Sequence, residues 1–171
     1  MIGYFISKEK AERLGLVENK AIFSELQNVI IAITVNDVVE YRKNNNLKPY
    51  DLYAGGARWL AQNTPEGELV FQTDWDDFPR LFFYNTHNTY LIGLDPTYMQ
   101  LYDPELYDQW VDLTQGKVQQ PSRIIRSRFG SSYAISDLAH AEFIFQAEND
   151  PGLREVYRDD EAVIFQVLAQ P

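Results

Sequence analysis

Between residues 20 and 43 the apolar side chains Ile22, Phe23, Leu26, Val29, Ile30, Ile33 and Val38 recur at helical spacings. Such a pattern predicts one long amphipathic helix. Ile31, Val35 and Val39 widen the stripe, so this helix is expected to hide apolar surface on two sides. The stretch NNNLKPYD breaks it, with three asparagines and Pro49 acting as a linker and Asp51 placed to cap a second helix over 51–63. The chain is therefore read as an N-terminal helical segment, 1–49, followed by a domain over 50–171.

Within that domain the period changes. The turn TPEGE leads into the short apolar run LVFQT, and TYLIG (89–93) and SYAIS (132–136) are further runs of strand type. They are separated by DDFPRLFFYN, DPELYDQWVDLTQG and PSRIIRSRFG, which carry helical signals. Short strands alternating with helices predict a mainly parallel sheet in an α/β, Rossmann-like three-layer domain. REVYRDDEAVIFQV reads differently, as two strands around a turn at Asp159 and Asp160, an antiparallel hairpin closing one edge of the sheet.

Charge narrows the partners. The chain has 171 residues and a net charge of -10, with 15 basic and 25 acidic residues. Residues 1–50 hold seven Lys/Arg against six Asp/Glu, which leaves eight against nineteen for the rest. No basic footprint for nucleic acid or anionic lipid exists in such a partition. The absence of cysteine removes disulfides, thiolate metal sites and cysteine nucleophiles, and leaves the redox compartment open. No uncharged apolar run is long enough to span a bilayer.

Candidate chemistry gathers after the predicted strand ends. Asp74, Trp75, Asp76 and Asp77 follow LVFQT directly, where loops of open α/β sheets collect ligands. The three acids suit a hard divalent cation such as Mg²⁺, the one cofactor these residues suggest. They equally suit a structural role, with Asp76 or Asp77 capping the helix that contains Pro79 and Asp76 holding amides of the turn while Asp74 stays exposed. His87 in NTHNTY, Asp95 in GLDPTY, and Asp137 and His140 in SDLAHAEF complete a set expected to converge with Asp76 along one sheet edge. Tyr98, Leu101, Tyr102, Leu106, Trp110 and Leu113 are read as the packing face of a helical crossover, in preference to a carbohydrate platform. Gly55 and Gly56 open no dinucleotide fingerprint, and neither a phosphate loop nor a nucleophile elbow is present.

The combination NTPEGELVFQTDWDDFPRLFFYN resembles the extracytoplasmic C-terminal region of bacterial multi-pass membrane glycosyltransferases that use lipid-linked sugars. In their oligosaccharyltransferase branch a similar turn leads through a strand to a Trp-Trp-Asp-Tyr-Gly motif that recognises the acceptor peptide. Residues 63–67 match the turn, and Trp75 and Asp76 match the central pair. Asp74, Asp77 and Phe78 stand where that motif has tryptophan, tyrosine and glycine. The likeness covers roughly residues 50–168 and is closer to a less characterised branch. It implies a soluble module on the periplasmic side that positions a glycan or peptide acceptor, partnered by the transmembrane portion of its parent and not catalytic alone. The apolar stripe over 20–43 adds a homodimer as an expectation. Against this stands a free-standing hydrolase or transferase working through Asp74, Asp76, His87 and a cation.

Overall fold

A computed structural model describes residues 36–40 and 48–168. The helix expected over 20–43, and the dimer through it, lie outside the described residues apart from 36–40, which are helical and exposed. The remaining description concerns the compact unit that begins at Tyr50.

Its elements follow the sequence pattern closely. Helix α1 (Ala54–Asn63) is followed by β1 (Leu69–Gln72), α2 (Phe78–Tyr84), β2 (Thr89–Tyr90), α3 (Thr97–Tyr102), α4 (Pro104–Thr114), α5 (Pro121–Ser127), β3 (Tyr133–Asp137), α6 (Ala141–Glu148), β4 (Leu153–Arg158) and β5 (Ala162–Val167). Prolines stand in the first turns of α2, α4 and α5, where a missing N–H costs nothing. At α4, the Asp103 carboxylate accepts the amide of Leu106 as the cap.

The sheet runs β2-β1-β3-β5-β4. β1 pairs in parallel with both β2 and β3, whereas β5 lies antiparallel to both β3 and β4. The sheet is thus evenly mixed and less parallel than expected, because β5 inserts between β3 and β4 instead of adding outside them. β4 forms the far edge, where Arg158 binds both Glu155 and Glu148 and presents charge to any strand that would pair there.

Alternation along the strands divides the core in two. Phe71, Ala134, Val163 and Phe165 enter a cluster with Trp110, Leu113, Ile125, Phe129 and Phe143 from α4 to α6 and their loops. Their neighbours Val70, Ile135, Ala162 and Ile164 enter a second cluster with Tyr53, Ala57, Leu60 and Leu81, from α1, α2 and the approach to α1. Successive side chains of a strand point to opposite faces, so helices cover both faces of the sheet. In the first cluster, Phe71 meets Phe129 edge-on at 5.4 Å and stacks on Phe143 at 6.1 Å. Each such ring stabilises the fold by about 1.5–3 kcal/mol through burial. On the opposite face α1 approaches closely: a Cβ on Gly56 would lie 3.2 Å from Ile135 Cδ1, and one on Gly55 would collide with the Tyr157 hydroxyl. The paired glycines serve this contact.

Candidate functional site

From the carboxyl end of β1 the chain turns through α2 toward β2. From the carboxyl end of β3, the next strand over, it leaves through α6 toward the other side of the sheet. Connections that part in opposite directions leave a crevice between the two strand ends, the place where open α/β sheets bind ligands. The side chains there are fixed by register. Gln72 pairs with Ile135 across the ladder, so two residues further on Asp74 and Asp137 emerge from neighbouring strands on the same face.

The loops hold these carboxylates by short-range bonds. Asp74 Oδ1 accepts the Asp76 amide at 3.2 Å, and Asp76 itself is exposed. This reverses the expected roles of the two acids, because the second residue beyond β1 still follows the pleat whereas the fourth has entered the turn. Asp77 is the N-cap residue of α2, but its side chain makes no cap bond. It is buried beside the Tyr53 phenol. Asp137 Oδ1 accepts three bonds, from the Ala139 amide at 3.1 Å, the His140 amide at 3.1 Å and His140 Nδ1 at 2.6 Å. Below them Thr73 Oγ1 bonds Ser136 Oγ at 3.0 Å and ties the two strand ends together.

Charge is concentrated here. The hydrogen bond that His140 donates to Asp137 holds its imidazole above the usual range; partial burial opposes this, and the charges of Asp137, Asp74 and Asp77 add to it. Burial raises the Asp137 carboxyl, but the hydrogen bond and charge of His140 and the two amides bring it below its usual value. Burial, with Asp77 and Asp137 close by, drives the Tyr53 phenol up. Tyr53 sits at φ 67°, ψ 6°, a left-handed conformation that costs a β-carbon residue about 1 kcal/mol. It is held there by its amide, bonded to Glu161 Oε2 at 2.7 Å, and by its buried ring. Tyr53, Gln72, Asp74, Asp77 and Asp137 line a cavity of about 10 Å³, room for about one water molecule.

The other predicted residues lie elsewhere. His87 precedes β2 at the amino end of the parallel strands, where its Nε2 is 2.9 Å from the Thr64 carbonyl oxygen. A carbonyl can only accept, so Nε2 carries the proton. Asp95 is fully exposed and accepts the Thr97 amide at 2.8 Å ahead of α3. Neither joins the crevice, so the expected single convergence reduces to Asp74, Asp77, Asp137 and His140. Trp75 is 40% exposed beside it. The aromatic stripe also splits. Trp110 and Leu113 are buried, whereas Tyr98, Leu101 and Tyr102 are 77%, 78% and 89% exposed. Asp103, extended at φ -147°, ψ 90°, separates α3 from α4 and turns the two halves of the stripe in different directions.

Sequence reasoning missed Tyr53 and Gln72. An Asp-Leu-Tyr-Ala start to a helix carries no sign of a left-handed tyrosine, and a glutamine closing an apolar strand reads as its solvent end. Among the described residues no helix is long and apolar enough to cross a membrane. No family model matches the chain, and no curated protein matches it either.

Proposed function

We propose that residues 50–171 form a Rossmann-like three-layer binding module on the extracytoplasmic side of a bacterial membrane glycosyltransferase-like protein. It positions a glycan or acceptor peptide and performs no transfer alone. Residues 1–49 are its helical extension, pairing through the stripe over 20–43 with a second copy. The observation that carries the binding role is α3, whose sequence TYMQLY has no charge and no buried residue, and which presents Tyr98, Leu101 and Tyr102 to solvent. Exposed aromatic faces beside the solvent-exposed carboxylate of Asp95 suit the apolar faces and hydroxyls of sugar rings. The small crevice cavity supports the same reading, since it has no room for a sugar.

The test is a titration of the purified chain with bacterial oligosaccharides, followed by amide chemical shifts. Shifts over 94–103, lost in the double variant Tyr98→Ala, Tyr102→Ala with an unchanged melting temperature, are expected. Turnover of a lipid-linked or nucleotide sugar by the purified chain would overturn the proposal. It would favour a free-standing transferase or hydrolase, which would have to work from Asp74, Asp137 and His140 in place of His87.

A further inference from the structure

The crevice holds more negative charge than its partners balance. Asp74 and Asp137 leave adjacent strands at opposed positions, and His140 supplies at most one positive charge between them. Like charges at opposed strand positions repel. Ligating atoms of Asp74, Asp137 and His140 lie within 4.8 Å of one another, as do those of Asp74, Asp76 and Asp77. Among the described residues these two overlapping groups bring three such side chains together, and Asp74 belongs to both.

An independent observation comes from beneath the carboxylates. Gln72 is 1% exposed and lies on the same strand face as Asp74, among the walls of the cavity. Its Nε2 donates to the Ile92 carbonyl at 2.7 Å, which fixes the orientation of the amide. Its Oε1 is buried without a hydrogen-bond partner. A hard oxygen left unsatisfied on a residue that lines the same cavity as Asp74 and Asp137 is what a divalent cation, or a water held by one, would complete.

We propose that the crevice between β1 and β3 binds a hard divalent cation of the Mg²⁺, Mn²⁺ or Ca²⁺ class. Asp74 and Asp137 supply its carboxylate oxygens, Gln72 Oε1 approaches it from below, and solvent completes its shell on the open side. His140, bonded to Asp137 through Nδ1, is a positioning residue that orients the carboxylate. The proposal does not depend on glycan binding at α3, and each can fail without the other.

Chelator-treated full chain titrated with MnCl₂ tests it, read by calorimetry and by paramagnetic broadening of amide signals. One saturable site is expected, with broadening confined to residues 72–77 and 135–140, and a melting temperature that rises with added metal. Asp74→Asn keeps an oxygen for the Asp76 amide and leaves the fold intact, so it should weaken affinity at least tenfold, while Asp108→Asn, at an exposed position of α4, binds as the parent does. Absence of saturable binding at millimolar Mn²⁺, Mg²⁺ and Ca²⁺ overturns the proposal. So does broadening centred elsewhere, or an affinity unchanged by Asp74→Asn.

Discussion

The parallel strands β2, β1 and β3 have a histidine cluster near each end of their run, and the two clusters are built from opposite materials. At the amino end, Asn85, Asn88 and Thr64 form a neutral side-chain network around the His87 amide. Asn85 Oδ1 accepts the amides of His87 and Asn88, Asn85 Nδ2 reaches Asn88 Oδ1 at 2.6 Å, and Asn88 Nδ2 reaches Thr64 Oγ1 at 2.6 Å. At the carboxyl end, carboxylates outnumber cations and one buried amide oxygen is left over. A neutral network that satisfies its own groups needs no ligand. An overcharged one has a use for a ligand, and this separates architecture from site more sharply than the presence of a histidine does.

The amino-end network should prove the more expensive to break. Asn85→Ala strands two amides and the Asn88 side chain in a buried setting, where each orphaned group costs about 1–3 kcal/mol. A loss of about 3 kcal/mol in urea-unfolding free energy is expected. A loss below 1 kcal/mol would mean that water replaces these bonds and that the two ends are less different than they look.

Much of this frame was legible beforehand. LVFQT, DDFPRLFFYN, SYAIS and the terminal hairpin are all where alternation, proline and turn residues put them, because those signals are local. TYLIG was expected to be a strand over 89–93, but only Thr89–Tyr90 pair. Beyond the ladder the Leu91 amide still donates to the Val70 carbonyl at 3.1 Å, but the Ile92 carbonyl then takes the Gln72 side-chain amide in place of a strand partner, and the pairing ends. The place of β5 beside β3 was not legible, since pairing partners distant in sequence leave no local mark. The candidate site was half legible for the same reason. Asp74 and Asp137 each follow a strand and could be nominated, but only the Gln72–Ile135 register says that they face each other. His87 precedes the strand run 89–93 and His140 follows the run 132–136, so in a parallel sheet the two histidines already belong to opposite ends.

The carboxyl-end cluster should betray itself through pH. His140, held above its ordinary value of 6.5, contributes stability that is complete below that value and is lost as pH rises through its folded pKa. Asp137, held below 3.8, contributes above that value and loses its contribution as pH falls through its folded pKa. The pair therefore helps most between 3.8 and 6.5. Melting curves of the parent and of Asp137→Asn should differ most in that window, by about 1–3 kcal/mol for a charge-assisted bond, and should draw together at higher pH. An Asn85→Ala curve should run parallel to the parent throughout, since the substitution removes no ionisable group. Parallel curves for Asp137→Asn as well would remove the electrostatic distinction between the two ends.

The smallest effect is the most discriminating. A sequence reading that gives the turn amides to Asp76 expects Asp76→Asn to cost more than Asp74→Asn, but Asp74 accepts the Asp76 amide and Asp76 is exposed. Asp76→Asn should thus stay within about 0.5 kcal/mol of the parent, as exposed substitutions do. Asp74→Asn keeps an oxygen for the amide while removing a negative charge that faces Asp137 and Asp77. In metal-free buffer it should raise stability by about 0.5 kcal/mol, the scale of relieving like charges across a ladder, and the gain should shrink in high salt, which already screens that repulsion. The sign decides the matter. If Asp74→Asn instead lowers stability by more than about 1 kcal/mol without metal, Asp74 is a structural clamp, and the carboxyl end is architecture like the amino end. A small gain without metal that becomes a deficit when Mn²⁺ stabilises only the parent would mean that the repulsion among these carboxylates is kept for a cation.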